Sequence, residues 1–401
     1  MKRLIGWRYL AAAALCGLAV PADAGTIAIA PGGDAQQRVQ AALIDARPGD
    51  VIELAAGRYA FTDGLSLDVA GVTLRGAGPD ATILDFSGQL GSGEGLLVTA
   101  ADVVLRGFAV ENSRGNGIKS KNADRIVYVD LRVEWTRGPS PENGAYGVYP
   151  VESQDVLIDR VTVKGASDAG IYVGQSRNIV VRHSTAMLNV AGIEVENCYN
   201  ADVHDNVARH NAGGILVFDL PDLPQKGGHG IRVFANDASS NDTPNFAPKG
   251  NIVASVPTGT GVIVMASRDV HVFANRLGDN ATANVMIIAY PRAFADPAFD
   301  PLPRDIVVRD NVHGRAGWAP QLTGGRTLGT PPDGHSFPIL WDGAGRGIAV
   351  SDAVATLSLG LIVPGTPIEQ AKPMPVDLFR AARAAEPKAV ILPAAMEAAA
   401  R

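Results

Sequence analysis

A short pattern, in which a glycine is followed by an apolar residue, any residue and another apolar residue, recurs along the middle of the 401-residue chain. Its copies begin at Gly117, Gly147, Gly170, Gly192, Gly214 and Gly261. The four central copies are separated by 23, 22 and 22 residues. A unit of about 22 residues is too short to enclose a hydrophobic core, so successive units have to stack on one another. The spacing therefore predicts a solenoid.

Between these glycine motifs lies a second pattern, made of short alternating apolar stretches with no helical period. Examples are DVVLRGFAV (102–110), RIVYVDLRV (125–133), DVLIDRVTV (155–163) and NIVVRHSTA (178–186). Each unit therefore holds about three short strands. Strands that stack at ~4.8 Å per coil build a right-handed parallel β-helix, and about nine or ten coils would form a rod roughly 45 Å long. We predict an all-β, single-domain right-handed parallel β-helix.

One position of the second pattern changes from apolar residues to asparagine along the chain. In successive units it is occupied by Phe108, Leu131, Val161, Ser184, Asn206, Asn236, Asn275 and Asn311. An inward-facing asparagine in each coil can bond the turn backbone of the coils above and below, which satisfies buried polar groups. We therefore predict an internal asparagine ladder toward the C-terminal end of the rod.

The first 24 residues, 1–24, have the features of an export signal. Three basic residues occur in the first eight positions, an apolar stretch follows at 9–20, and an A-x-A cleavage site ends at Ala24. A lipoprotein acylated at Cys16 is the alternative, but Leu15 stands where a small residue should precede that cysteine. We predict cleavage near Ala24 and a periplasmic or secreted mature protein that is not inserted in a membrane.

Charge and cysteine content limit the partners of the mature chain. Cleavage changes the formal net charge from −6 to −8, because it removes three basic residues and one aspartate. An acidic chain without a basic cluster is not expected to bind nucleic acid or an anionic membrane surface. Only Cys198 remains, so no internal disulfide can form. The seven histidines lack the close spacing of zinc or copper ligands, and we predict neither a metal nor another cofactor.

The extent of the repeat sets the predicted domain limits. The β-helix is expected to occupy residues 25–320, where the strand patterns are found. Residues 321–401 are rich in proline and glycine and are predicted to be an irregular C-terminal segment. Within it, 375–385 has the pattern of a capping helix, and 396–401 is expected to be a loose tail.

A helix is also predicted at the N-terminal end, over residues 33–50. Asp34 is a candidate N-cap, and Val39, Leu43 and Ala46 lie on one face of the helix. A helix at this place would cover the open first coil, whose strand edges would otherwise be free to pair with other chains.

The opening stretch GDVIELAAGRY (49–59) resembles the first coil of a superfamily of exported β-helix proteins. That superfamily includes polysaccharide lyases, alginate epimerases and a periplasmic accessory protein of nitrous oxide reductase maturation. Two longer stretches, 211–228 and 245–265, resemble a family of signal-peptide-bearing bacterial β-helix repeat proteins of unassigned function. Its members are often encoded beside, or fused to, an exported cytochrome-like protein, which implies such a protein as a partner. The resemblance covers about residues 25–320 and implies the fold rather than a reaction.

Alternation along the glycine-motif strands predicts which side chains point outward and stack from coil to coil. One outward column contains Lys119, Tyr149, Tyr172, Glu194, Leu216 and Ile263, and a second contains Gly174, Glu196, Phe218 and Met265. Long insertions lie at both ends of these strands, at 137–146, 219–229, 242–261 and 291–303. Insertions that interrupt a regular repeat are often functional, so we predict that they form the walls of a groove.

The leading hypothesis is that this groove binds a polysaccharide or a cell-envelope partner protein. The predicted binding residues are Lys119, Tyr149, Tyr172, Glu194, Glu196, Phe218, Asp219 and Asp222. The alternative is a carbohydrate-active enzyme, namely a lyase, a C5-epimerase or a hydrolase, that acts on an acidic glycan. In that case Tyr172 or Glu194 would be the acid or base, and Lys119 would neutralise a uronate carboxylate.

Each candidate also has a structural interpretation. Glu194 and Glu196 lie two residues apart, so their carboxylates could be ~7 Å apart, as in inverting glycosidases, or could simply belong to a solvated face. Asp219 and Asp222 could cap their loop or act as acids or Ca²⁺ ligands. His204 and Asp205 resemble part of the Asp-Pro-His-Asp motif of alginate epimerases, without its proline. They are also in register with the neighbouring repeats, which explains them without catalysis.

Overall fold

The computed structural model describes residues 24–322, 337–378 and 385–401. The predicted signal peptide, apart from its last residue, lies outside these ranges. The described chain winds into stacked coils that form two long sheets, and adjacent strands of both sheets run parallel. The predicted all-β parallel helix is confirmed.

We call the sheet built from the glycine motifs the front sheet and its outward side the front face. Its 12 strands are Leu65–Leu67, Leu96–Val98, Ile118–Lys121, Tyr146–Val151, Ala169–Gly174, Ala191–Glu196, Gly213–Phe218, Thr260–Met265, Ala283–Ile288, Ile339–Trp341, Thr356–Ser358 and Met374–Val376. Only the last of these pairs in the antiparallel sense.

The second sheet, which we call the back sheet, holds 17 strands and follows the bend of each coil. Its strands are Thr26–Ile29, Val51–Leu54, Gly57–Ala60, Thr73–Gly76, Thr82–Asp85, Val104–Arg106, Ala109–Glu111, Ile126–Glu134, Gln154–Lys164, Arg177–Arg182, Thr185–Met187, Tyr199–His204, Val207–Arg209, His229–Phe234, Arg268–Phe273, Arg304–Arg309 and Ala349–Val350. A separate two-stranded sheet pairs Arg276–Leu277 with Val312–His313. The helices are Ala35–Asp45 and Ala394–Ala399, with short 3-10 turns at Val253–Ser255 and Ile368–Gln370.

The corners of the coils use residues in the left-handed backbone region. His183 and Asp205 occupy the same corner of successive coils, with φ of 50° and 53°. Asparagine, aspartate and histidine tolerate this conformation better than most side chains do. His204, just before this corner, stacks on the ring of Phe234 in the next coil, with centroids 4.8 Å apart. The repeat therefore accounts for the His204–Asp205 pair, as the register predicted.

The interior is apolar along most of its length and becomes polar at two corners. The predicted asparagine ladder is confirmed: the backbone N–H and the side-chain amide of Asn206 both donate to Oδ1 of Asn236 at 3.0 Å, and Asn236 donates to Asn275 in the same way. A second ladder, which was not predicted, contains Asn189, Asn211, Asn241 and Asn280. Because each amide bonds the adjacent coils, neither column leaves these buried amides unpaired.

The N-terminal helix forms as predicted and covers the first coil, with Val39 and Leu43 fully buried. Asp34 stands at the N-cap position, as predicted, but its side chain makes no capping hydrogen bond. Its carboxylate instead accepts a hydrogen bond from Nε of Arg38 at 2.9 Å. The nearby guanidinium group thus takes the place of the backbone donors as the partner of this carboxylate.

The coils continue beyond the predicted limit at residue 320. Strands Ile339–Trp341 and Thr356–Ser358 extend the front sheet in the parallel sense. The predicted helix over 375–385 is wrong at its start, since Met374–Val376 is a strand that pairs with Thr356–Ser358 and closes the sheet. Residues 379–384 of that prediction lie outside the described residues. Short strands with proline between them carry too little periodicity to be recognised as coils.

The predicted loose tail at the C-terminus is also wrong. Helix Ala394–Ala399 docks on the outward side of the back sheet, where Leu392, Met396 and Ala400 pack against Val127, Val129, Leu157 and Val180. Arg160 donates to the carbonyl of Ala400 at 2.6 Å, and Arg182 pairs with Glu397 at 2.8 Å. The apolar residues on these strands face outward, and the C-terminal helix buries them from solvent.

Replacing Met396 by aspartate is expected to lower the stability of the folded protein by about 2 kcal/mol and to release the C-terminal helix, because a charge would be buried without a partner. Ala395→Asp is the matched control, since Ala395 is exposed on the same helix. Urea denaturation and limited proteolysis from the C-terminus would measure both effects. Equal stability of the two variants would show that the docking contributes little.

Candidate functional site

The central part of the front face is buried, although its side chains point away from the interior of the rod. Tyr172, Glu194, Leu216 and Ile263 are in register on successive strands, as predicted. Glu194 nevertheless has only 1% of its surface exposed and Tyr172 only 3%. The interpretation of Glu194 and Glu196 as part of a solvated face is therefore wrong. Both side chains lie under loops that follow or precede the front strands.

Residues 242–259 form the principal cover, and we call this loop the lid. Val253 and Val256 of the lid pack in one apolar cluster with Leu216 and Ile263 of the front face. The fit is close, because a Cβ added at Gly213 would lie 2.9 Å from the side chain of Val256. The lid therefore seals the front sheet by direct apolar packing.

Two polar contacts hold the tip of the lid. The side-chain amide of Asn251 donates to Oδ2 of Asp168 at 3.2 Å. Arg292, from the loop that follows strand Ala283–Ile288, donates to the carbonyls of Gly250 and Asn251 at 3.0 and 2.6 Å. These contacts involve two exposed or partly buried side chains, so the tip is fastened less firmly than the apolar base of the lid.

Tyr172 and Glu196 form a buried hydrogen-bonded pair. The Tyr172 hydroxyl donates to Oε1 of Glu196 at 2.5 Å. To reach Glu196 the tyrosine ring lies over Gly174, where an added Cβ would be 2.5 Å from the ring. Burial, together with the nearby charge of Glu196, raises the pKa of Tyr172 well above its ordinary value. Tyr172 is therefore a hydrogen-bond donor at neutral pH and not a base.

Three tyrosines pack together on one side of this pair. The ring centroids of Tyr146, Tyr149 and Tyr172 are 4.5 to 4.9 Å apart. Tyr149 is half-buried and faces the rim of the site. At that rim the ammonium group of Lys119 lies 5.1 Å from the Tyr149 ring centroid and 3.3 Å from Oε1 of Glu94. We call these three rings the tyrosine cluster.

Glu196 belongs to a group of four buried acids, which we call the carboxylate cluster: Asp168, Glu194, Glu196 and Asp219. Burial raises the pKa of Asp168 to about 7, against hydrogen bonds from Asn251 and Tyr146 that lower it. Burial likewise raises the pKa of Glu196 to about 7 and that of Asp219 to about 6. Several groups that gain or lose a proton near neutral pH are thus gathered in one place.

Glu194 differs from the other acids because it has no hydrogen-bond partner. Within the described part of the chain, neither carboxyl oxygen meets a donor, although both are buried. Burial first, and then the charges of Asp168 and Glu196, raise the pKa of Glu194 well above its ordinary value. Buried polar groups are nearly always paired, so an unpaired carboxyl requires an explanation.

The remaining predicted residues occupy different places. Asp219 accepts hydrogen bonds from the backbone of Gly227 and Gly228, both at 3.0 Å, and so caps its loop as well as adding to the carboxylate cluster. Phe218 is buried beside Glu196 on the next strand. Asp222 is exposed on the outer side of its loop. Its backbone N–H donates to Oδ2 of Asp296 at 3.1 Å, and the predicted binding role of Asp222 stays a prediction.

Sequence reasoning missed Asp168 and Tyr146. Asp168 precedes a front strand, at the position occupied by Val190 and Ala212 in the next two coils. A single acid in an otherwise apolar column was the available signal. Tyr146 begins the strand that carries Tyr149, and an aromatic residue at each of these positions was the corresponding signal.

An apolar cavity of about 420 Å³ adjoins the site at Phe218. Its walls include Met265, Met286, Tyr290, Leu340 and Leu359. No helix in the described ranges is long and apolar enough to cross a membrane. Across those same ranges, no group of three or more histidine, cysteine or acidic side chains is arranged to hold a metal ion.

Comparisons with known proteins agree with this architecture. Residues 70–243 match the family model of the right-handed β-helix region. A search of the curated proteins gives no match.

Similar solved structures include three carbohydrate-related proteins. The A-module of the Azotobacter vinelandii mannuronan C-5 epimerase AlgE4 has a TM-score of 0.50 and 15% identity, over 81% of this chain and 94% of that one. The polygalacturonase of Erwinia carotovora has a TM-score of 0.51 and 11% identity, over 85% and 96%. The DFA-IIIase of Arthrobacter chlorophenolicus A6 has a TM-score of 0.53 and 11% identity, over 81% and 93%. At these identities the likeness establishes the fold alone, which is a right-handed parallel β-helix.

Proposed function

We propose that this right-handed β-helix protein binds a polysaccharide on its front face, between the tyrosine cluster and the lid. The observation that carries the proposal is Glu194, whose two buried oxygens lack donors beside an aromatic wall. A sugar residue has hydroxyl donors on its edges and an apolar face. The hydroxyl groups would pair with the Glu194 oxygens, and the apolar face would stack on the aromatic wall. The export signal predicted from the sequence supports action in the periplasm or outside the cell.

The accessible part of the site is its rim. Tyr149 is half-buried, and Lys119 keeps 26% of its side chain exposed. A sugar unit that stacks on Tyr149 would lie beside the tip of the lid, which Asn251 and Arg292 hold with three hydrogen bonds. We infer that binding displaces this tip and gives the next sugar unit access to Glu194 and Glu196. Loops that close over a ligand commonly work in this way.

The electrostatics argue against the acidic glycan considered from the sequence. Lys119, the expected charge neutraliser, is already paired with Glu94. The carboxylate cluster would repel a uronate group at close range. The proposal is therefore restricted to glycans without acidic groups in the bound segment. A cell-envelope protein or an exported cytochrome-like protein remains a prediction from the family resemblance, and no contact argues for either.

Hydrolysis of the bound glycan is a second candidate function. The pKa of Glu196, at about 7, and that of Asp219, at about 6, would suit a general acid and a general base. The hydrogen bond from Tyr172 would hold the Glu196 carboxyl in place. This pairing differs from the acid or base role that we assigned to Tyr172 or Glu194, because a tyrosine with a raised pKa does not accept a proton at neutral pH.

Affinity electrophoresis against a panel of polysaccharides is expected to show retardation by at least one neutral or basic glycan. Tyr149→Ala should weaken that binding about tenfold, which corresponds to the loss of one stacking contact. Phe234→Ala is the matched control, since Phe234 is an outward aromatic residue on the back sheet. Unchanged binding by Tyr149→Ala, or no retardation by any glycan, would refute the proposal. New reducing ends in the same samples, abolished by Glu196→Gln, would support the hydrolase.

A further inference from the structure

We propose that the bound glycan carries free amino groups, and that Glu194 and its neighbouring acids select a sugar residue with an ammonium group, such as a hexosamine unit. The inference rests on the proposed function and specifies its ligand class. It depends on three features of the site: an unpaired buried carboxyl, the absence of a compensating cation, and an ammonium group already bound at the rim.

The first feature is the geometry of Glu194. Its side chain is directed from the front sheet into the space under the lid, and both oxygens are buried without a donor. Its neighbours on adjacent strands are Tyr172 and Leu216. Tyr172 gives its only proton to Glu196 and so has none for Glu194. A ligand that donates several hydrogen bonds from one atom would satisfy both oxygens, and an ammonium group has three N–H donors.

The second feature is the charge around the cluster. The charges that act on Glu194 and Glu196 come from other acids, and the hydrogen bonds to Asp168 and Glu196 come from the neutral donors Asn251, Tyr146 and Tyr172. Arg268 acts on Asp219 but on none of these three. The other cations nearby are engaged elsewhere: Lys119 with Glu94, Lys226 with Asp296, and Arg292 with carbonyls of the lid. The pocket is thus acidic without an internal counter-ion, which favours a cationic ligand over a neutral one.

The third feature is the contact made by Lys119. Its ammonium group lies over the Tyr149 ring and beside a carboxylate, Glu94. An aromatic face combined with an acid is a recognised arrangement for binding an ammonium ion. The same combination recurs further into the site, where Tyr172 lies beside Glu194 and Glu196. The rim therefore contains, within the protein itself, the kind of contact that we propose for the ligand.

Binding of an ammonium group has a thermodynamic consequence that a neutral sugar does not share. A cation beside a protonated carboxyl stabilises its ionised form and lowers its pKa. Binding of the amino sugar would therefore favour the ionised form of Glu194 and release protons. Proton release should be larger for this contact than for a neutral sugar, because hydroxyl hydrogen bonds favour the ionised carboxyl less than a cation does.

Isothermal titration calorimetry of the full chain would test the inference at a mildly acidic pH, where the amino groups are protonated. The ligands are glucosamine oligosaccharides, their N-acetylated counterparts of equal length, and oligogalacturonate. We expect the amino form to bind at least about tenfold more tightly than the acetylated form. Measured in two buffers of different ionisation enthalpy, binding of the amino form should release about one proton.

Glu194→Gln should reduce the affinity ratio toward one and abolish proton release, and Glu142→Gln should change neither. Glu142 is an exposed acid on the loop before strand Tyr146–Val151. Tighter binding of the acetylated form, or a ratio that survives in Glu194→Gln, would overturn the inference and leave glycan binding intact. Failure of all three ligands, together with the polysaccharide panel, would overturn the proposed function as well. If Glu194→Gln fails to fold, proton release by the unmodified protein decides the question.

Discussion

Replacing Glu194 by leucine is expected to stabilise the folded protein by about 2 kcal/mol near pH 7.5, and to abolish binding of amino sugars. The carboxyl group is desolvated and unpaired, so it weakens the closed state. Leucine has a similar size and would extend the apolar column of Leu216 and Ile263. Removing one strained functional group commonly increases stability at the expense of activity. The same residue would then account for both changes.

Urea denaturation and calorimetric titration of the Glu194→Leu variant would measure these effects. Glu53→Leu is the matched control, because Glu53 is also an outward glutamate in the middle of a strand, with 44% of its side chain exposed and a partner in Arg75. Its stability should change by no more than about 0.5 kcal/mol. A destabilised Glu194→Leu variant would mean that Glu194 is satisfied in the folded protein, and the functional argument would lose its basis.

Stability is expected to fall as pH rises from about 5 to about 8, by about 2 to 4 kcal/mol. Burial raises the pKa of Asp168 and Glu196 to about 7, of Asp219 to about 6, and of Asp342 to about 7. Between their unfolded and folded pKa values the folded state holds more protons than the unfolded state. The stabilisation is therefore complete below the unfolded pKa and is lost as pH rises through the folded one.

One group opposes this trend. Burial lowers the pKa of His271 to about 4, so the unfolded state binds its proton first as the pH falls below about 6.5. The four carboxyl groups outweigh this single imidazole. Thermal denaturation at half-unit pH intervals would measure the slope, and Asp168→Asn should make it shallower. Stability that rises with pH over this range would show that the carboxylate cluster is solvated or paired in solution.

The sequence was sufficient to locate the outward columns of the front sheet. Tyr172, Glu194 and Leu216 are in register because a strand period of 2 and a coil period near 22 residues both appear in the chain itself. The same arithmetic identified the ladder through Asn206 and Asn236. It also removed His204 and Asp205 from the candidates, since their spacing follows from the corner. Local geometry decides each of these points, and each was predictable.

Whether the side chains of those columns are buried or exposed to solvent could not be predicted in the same way. Glu194 was expected on the outward face of a groove, with the cover of that groove left open, yet only 1% of its surface is exposed. Asp168 accepts a hydrogen bond from Asn251, which is 83 residues further along the chain. The contacts of the lid join segments that are distant in the chain. Because the lid is not part of the repeat, the periodicity of the sequence does not predict these contacts. Nor did composition reveal that residues 385–401 dock on the back sheet.

The sequence by itself therefore determined the coil, the direction of each strand side chain and the polar ladders, because these depend on repeated local geometry. Only the tertiary structure decided which outward residues are buried and which remain in water. That decision sets the chemistry of the site, since a carboxyl in water is an ordinary surface charge. When it is buried, the same group has a raised pKa and, among the described residues, no hydrogen-bond partner.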